Sequence, residues 1–303
     1  MKETVKTGRR TFRDLVPPVD LTDRIERSTR ADKPIRILAK AVRRRIRPGR
    51  LRDLLHGVPL GKPLHPPLAN ASLGFWMATA VLDVTHSDPR AARMVLAAGI
   101  AGAMPAAAAG VTDWSVLHRE QQRVGFVHAI SNLAALGLYT GSLALRLAGR
   151  ERDGRTLSFA GLAAAGIGGY LGGHLAYRQA AGANHAESVT HLVPLGWHDL
   201  CDITDLPDGR PVSRRLGYID LFVLRVGGGV TVLADGCSHL AGPLHQGKLV
   251  SEEGTTCVVC PWHGSTFRLS DGAVVHGPAT APQPSFETRI RRDGILQVRP
   301  TQV

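Results

Sequence analysis

Four long apolar stretches, separated by three short charged breaks, constrain this chain more than any other feature. They run from about Ala69 to Val84, Met94 to Val111, Val124 to Leu147 and Leu157 to Tyr177, each between 16 and 24 residues long. A helix needs about 20 mostly apolar residues to cross a hydrocarbon core. Four such stretches in succession, with little amphipathic charge, predict an all-α four-helix transmembrane bundle over residues 65–190, with the lipid bilayer as its surroundings. A buried helical bundle in a soluble protein is the competing reading. The first stretch is the weakest, being short and carrying Asn70. In the fourth, Gly168 and Gly172, and Gly169 and Gly173, form overlapping small-xxx-small pairs that admit a close neighbour helix. Pro105 should bend the second.

Residues 1–64 form a basic tail, and the whole chain carries a formal charge of +12. Aromatic residues make up only 5% and the basic residues gather at the amino-terminal end, so a membrane-flanking role is expected and no nucleic-acid partner. Arg9-Arg10-Thr11-Phe12 faintly resembles a twin-arginine export signal but lacks an apolar region behind it. From Ile35 to Leu55, apolar residues interleave with Arg43-Arg44-Arg45 and Arg47, predicting one or two short basic helices interrupted at Pro48-Gly49. These would lie on an anionic membrane surface or present a solvated basic face. Arg50, Arg52 and Lys62 before the first crossing place the tail in the cytoplasm, and four crossings return the carboxyl-terminal domain to the same side. Arg146, Arg150, Arg152 and Arg155, in the break between helices three and four, oppose that orientation.

After about His191 the pattern changes to short apolar runs and turns. Leu221–Val226 and Val230–Leu233 flank Gly227-Gly228-Gly229 as a hairpin. Cys257–Val259, Thr266–Leu269, Phe286–Ile290 and Ile295–Val298 are further strands, giving an all-β domain over 191–303. Within it stand Cys237-Ser238-His239 and Cys260-Pro261-Trp262-His263. A thiolate and an imidazole on each of two loops can converge on metal. Zinc bound by two Cys and two His satisfies the same spacing, and the four donors alone do not choose the metal.

The residues around these pairs closely resemble the Rieske family: Cys-x-His followed by Leu240-Ala241-Gly242-Pro243-Leu244, and Cys-Pro-Trp-His-Gly-Ser-Thr-Phe over 260–267. The likeness extends through Leu206-Pro207-Asp208-Gly209-Arg210-Pro211 and Gly277-Pro278-Ala279. It implies a [2Fe-2S] cluster, with Cys237 and Cys260 on one iron and His239 and His263 on the other. The outer histidine nitrogens are then expected to face solvent, where an electron donor or acceptor protein would dock. Quinol-oxidising members of the family carry a disulfide across positions that are Gly242 and Trp262 here. Ser265 is placed to donate to a cluster sulfur, while Phe267 replaces a tyrosine donor; fewer donors imply a lower potential. Cys201 and Cys257 fall outside the pattern, and His245 reads as a surface residue. Unpaired cysteines suit a cytoplasmic domain.

Only 40 residues follow His263, too few for an oxygenase domain with its own mononuclear iron, so a self-contained oxygenase is not expected. His65, Asp113, His128 and His174 fall at helix ends on one side of the bundle, the side of the β domain by connectivity. His128 and His174 are candidates for the two imidazoles of a haem b, or for a quinone site; hydrogen bonding between helices is the plainer reading. His65-Pro66-Pro67, Asp83 and the Gly172–Arg178 segment resemble an uncharacterised four-helix membrane family of bacteria, which implies an inner-membrane location. The expected function is membrane-tethered electron transfer, with a redox sensor using the cluster as a switch as the alternative.

Overall fold

The computed structural model describes residues 17–252 and 254–301, so the Arg9-Arg10 segment lies outside the described residues. Three short helices come first: α1 (Pro17–Arg27), α2 (Asp32–Arg45) and α3 (Arg50–His56). The two breaks between α2 and α3 are the expected Pro48 and Gly49, the latter at φ 139°, a backbone geometry that side chains rarely adopt. These helices lie across one end of the bundle. Ile35 and Ala39 of α2 are buried against Trp114 and Phe126, and Arg123 holds Asp32 through two hydrogen bonds of 2.7 and 2.8 Å.

Four long helices follow, α4 (His65–Val84), α5 (Pro89–Trp114), α6 (Arg119–Leu147) and α7 (Glu151–Gly173), the last widening into a looser turn over His174–Arg178. Their starts are locally encoded. Prolines stand in the first turns of α4 and α5, where a missing N–H costs nothing. Asp88 accepts from Arg90 N at 2.9 Å, and His118 N donates to the Gln121 side chain at 2.9 Å, a capping box. Among the described residues, only α5 and α6 are long and apolar enough by themselves to cross a membrane. All four nevertheless turn large apolar side chains outward: Met77 and Val81 on α4, Met94 and Met104 on α5, Leu133 on α6 and Ile167 on α7 are each more than half exposed. The interior carries Ser72, Thr79, Asp83, Thr112, Ser142, Arg146 and Ser158. This is the reverse of a water-soluble bundle.

The β domain holds two antiparallel sheets. β1 (His198–Asp202), β2 (Val212–Leu216), β3 (Ile219–Val226), β4 (Gly229–Ala234), β9 (Ser285–Ile290) and β10 (Ile295–Pro300) form one, in the order β1-β10-β9-β4-β3-β2. The other is β5 (Lys248–Glu252), β6 (Thr255–Val259), β7 (Thr266–Arg268) and β8 (Val274–His276), in sequence order. Phe222, Leu233, Val258 and Phe267 fill the core that joins the sheets. Four strands, β1, β2, β5 and β8, were absent from the sequence expectation. All four are sheet edges, where half the partners are missing and alternation is diluted by polar residues such as His198, Arg215 and Lys248.

Candidate redox centre

Cys237 and His239 stand on the loop leaving β4, Cys260 and His263 on the loop joining β6 to β7. The backbone shapes each loop. Ala241 N donates to Cys237 O at 2.7 Å and Cys237 N to Gly242 O at 2.9 Å, a turn that takes Ala241 to φ 58°. Cys260 N donates to Ser265 O at 2.8 Å and Gly264 N to Cys260 O at 3.1 Å. Buried Gln283 braces the first loop from a third: it accepts from Ser238 N at 3.0 Å and donates to Ala234 O and Gly236 O, both at 2.7 Å. Asp235 adds bonds to His245 N at 2.8 Å and His245 Nδ1 at 2.6 Å, which makes His245 a bracing residue.

The four side chains come together as two pairs. The Cys237 and Cys260 thiols are buried, free of disulfide, and close enough to perturb each other. The His239 and His263 rings lie 5.1 Å apart between centroids. The neighbouring Cys260 and burial push the Cys237 thiol up, while Cys237, the largest effect, holds Cys260 down. Two buried sulfurs that close cannot both be thiolates without a cation between them. Donors are already aimed at them: His239 N–H and the Ser265 hydroxyl at Cys237, and the N–H groups of Trp262 and His263 at Cys260. The imidazoles are held neutral, as ligation requires. Burial pushes His239 well down; burial, then His118, Arg43 and Arg52, takes His263 to about 4. Among the described residues no three His, Cys, Asp or Glu are placed to hold one metal ion. A cysteine edge and a histidine edge suit a two-iron cluster better than tetrahedral zinc.

Gly242 lies under the Trp262 ring. A Cβ there would meet Cys260 Sγ at 2.8 Å and the indole at 3.1 Å, so the two positions that the family's disulfide would join face each other across a glycine–indole contact. Cys201, half-buried, and Cys257, buried, belong to β1 and β6.

The histidine edge is half-buried where open solvent was expected, because α3 and the start of α6 pack beside it. His118 stands 5.6 Å from the Trp262 ring and 6.0 Å from His263, between centroids. Arg52 reaches the His263 carbonyl at 3.5 Å. Asp53 accepts from Gly277 N at 3.0 Å and His276 Nδ1 at 2.9 Å. Beside these contacts is a cavity of about 230 Å³, lined by His239 and Pro278 on one wall and by His56, Lys62, Asp113 and Asn184 on the other.

At the bundle end, His56 Nδ1 donates to Asp113 at 2.6 Å, with Arg52 Nε on its other nitrogen at 3.3 Å. His65 and His128 are neighbours, with ring centroids 6.1 Å apart. His174 bonds Glu26 at 2.5 Å, so the expected pairing of His128 with His174 does not form: α1 draws His174 away. Sequence reasoning missed His56, Asp53 and His118. A His-Gly step closing a basic helix was their only signal.

A fold of two small antiparallel sheets, with paired Cys and His on two opposed loops, defines a Rieske-type electron-transfer ferredoxin domain, here fused to a membrane domain. Residues 196–287 match the family described as Rieske [2Fe-2S] domain, and residues 61–185 the family described as Predicted membrane protein (DUF2231). The anthranilate 1,2-dioxygenase ferredoxin subunit of Burkholderia cepacia is 32% identical over 110 residues, which are 36% of this chain and 97% of that protein. The chain belongs to the Rieske [2Fe-2S] family through this domain. The solved Sphingomonas yanoikuyae B1 ferredoxin is 29% identical, covering 36% of this chain and 100% of its own, at a TM-score of 0.30. Apoptosis-inducing factor 3 of Mus musculus is 27% identical over 96 residues, 32% of this chain; the chain spans 15% of that protein's length. Its similar proteins include small ferredoxin subunits of oxygenase systems, not self-contained oxygenases.

Proposed function

We propose that Cys237, Cys260, His239 and His263 hold a [2Fe-2S] cluster that exchanges single electrons with a quinone or haem site in the membrane domain beneath it. When bound, the cluster supplies one-electron storage at a potential raised by its two neutral imidazoles. The observation that carries the reading is the half-buried histidine edge: His118, Arg52 and the His56–Asp113 pair stand where a docking protein would otherwise approach. The cavity beside His239 gives a small redox molecule a place between the two domains, with His56 and Asp113 on its wall to hold a proton.

Four crossings fit the outward apolar faces of all four helices, with both ends of the described chain on the cytoplasmic side. The contrary charge near Arg146 is partly paired. Arg146 and Arg155 pair with Asp83, and Arg150 with Asp153; these arginines still oppose the cytoplasmic orientation, since Lys and Arg are what the orientation rule counts.

Full-length protein in membranes, given a reduced short-chain quinol, should develop the paramagnetic signal of a reduced cluster. Reduction only by soluble donor proteins would reject the membrane route. A second reading, a redox switch, is favoured by α3, which reaches a cluster loop through Arg52, the segment after β8 through Asp53 and the bundle through His56. It predicts protease protection that changes with cluster redox state in the absence of electron turnover.

A further inference from the structure

The bundle interior repeats itself at a fixed interval. Three pairs of side chains meet across the bundle, one of each pair from α4 and the other from α6: His65 with His128, Trp76 with Tyr139, and Asp83 with Arg146. Each pair is separated by 63 positions. The Trp76 and Tyr139 rings stack at 4.3 Å, and Arg146 grips Asp83 through two bonds of 2.8 and 2.6 Å. The contacts to the neighbouring helix repeat as well. Added Cβ atoms at Gly110 and Gly99 of α5 would strike His65 and Trp76; at Gly172, Gly161 and Gly154 of α7 they would crowd His128, Tyr139 and Arg146. The hairpins α4–α5 and α6–α7 are thus built alike and face each other across one axis.

The Asp83–Arg146 pair is complete as an ion pair, and the Trp76 and Tyr139 rings stack, although Trp76 Nε1 and Tyr139 Oη are buried among the described residues with no hydrogen-bond partner. The histidine pair is not complete in itself. His65 Nδ1 donates to Ala106 O on α5 at 2.8 Å, and His128 Nδ1 donates to Gly168 O on α7 at 2.7 Å. Both rings are thereby fixed in the tautomer that leaves Nε2 with its lone pair, the arrangement that orients metal-binding histidines. Among the described residues His65 Nε2 has no hydrogen-bond partner. His128 Nε2 has only the Asn132 amide at 3.3 Å, which lies as far from Nδ1 and donates better to His128 O at 2.9 Å. Two imidazoles sharing one metal through Nε2, at about 2.0–2.1 Å each, have centroids roughly 6 Å apart. The observed separation is 6.1 Å, with the ring planes 85° apart. No third His, Cys, Asp or Glu joins them among the described residues, so a bare divalent ion would lack the rest of its coordination. An iron that brings its own four equatorial nitrogens needs only two axial ligands.

We propose that His65 and His128 are the axial ligands of one b-type haem on the axis of the helical bundle. The inference rests on the membrane route above and supplies its acceptor. Asp113, one turn beyond Gly110, lines the cavity that His239 also lines, so the haem would lie on the side of the bundle facing the cluster. One electron lost from the cluster balances the reduction of one ferric haem to ferrous, with no co-reactant.

The test is an optical titration of full-length protein with haemin in detergent, together with a reduced-minus-oxidised spectrum of protein purified from haem-sufficient cells. One haem per chain with a six-coordinate low-spin spectrum is expected. His65→Ala and His128→Ala should each lose it, His65→Met should convert the spectrum to mixed His/Met ligation, and His174→Ala should keep it. The paramagnetic signal of the iron–sulfur cluster, recorded on each variant, reports folding and the cluster independently. Wild-type protein that carries its cluster but takes up no stoichiometric haem overturns the proposal, as does haem that persists in both alanine variants.

Discussion

Ser265 and Gly242 are the residues through which the fold tunes the sulfur edge. The Ser265 hydroxyl accepts from Ala279 N at 3.0 Å and lies near the Cys237 sulfur, where it pulls that thiol down. A hydrogen bond contributes about 0.5–1.5 kcal/mol, and stabilising the more negative reduced state raises the potential. Ser265→Ala is therefore expected to lower the cluster midpoint by roughly 20–65 mV for a one-electron couple, read by a redox titration followed by paramagnetic resonance. Gly242→Ala should displace Trp262 or Cys260, costing about 1–3 kcal/mol and reducing bound iron per chain; iron analysis and a thermal melt check it. The two Cys/His pairs were legible because their short spacing falls on two loops. Gln283 and Asp235 were not, since their work is to bond main-chain groups far away or buried within a loop, and that leaves no residue pattern.

Among the elements, α3 and the sheet edges show where sequence is least informative. Central strands β3, β4, β6, β7, β9 and β10 announced themselves by short apolar runs beside turn residues, whereas the edges carry more polar residues. The basic helices α2 and α3 were legible as helices but not as a cap. Only their placement across the bundle end reveals that Asp53 receives Gly277 N and His276. Asp53→Ala strands that amide and should loosen the β domain at a cost of about 1–3 kcal/mol. Faster limited proteolysis between residues 179 and 197, with the cluster retained, is the expected result. At the far end, Arg146 and Asp83 are each 1% exposed at their side chains. Removing Arg146 leaves buried Asp83 with only the more distant Arg155, at 3.6 Å, so Arg146→Ala should cost about 3 kcal/mol in a thermal melt, while Arg146→Met with Asp83→Leu restores much of it.

For the whole molecule, the apolar runs identified a membrane domain and the Cys/His loops an electron carrier. Neither foretold that the carrier's histidine edge would rest on the membrane domain's end. That contact is assembled from Arg52, Asp53, His118 and His263, residues ordinary in isolation. Four crossings also predict that tags at both termini share one side of the membrane; opposite-side labelling by an impermeant reagent would require an odd number.

The central claim is a two-iron cluster with mixed cysteine and histidine ligation. The direct measurement is iron and acid-labile sulfide analysis of full-length protein, combined with pulsed paramagnetic resonance of its reduced form. Two irons and two sulfides per chain, with two coordinated imidazole nitrogens coupled to the electron spin and lost on His239→Ala or His263→Ala, is the predicted result. One zinc per chain with no sulfide, or a cluster signal without nitrogen coupling, would contradict it.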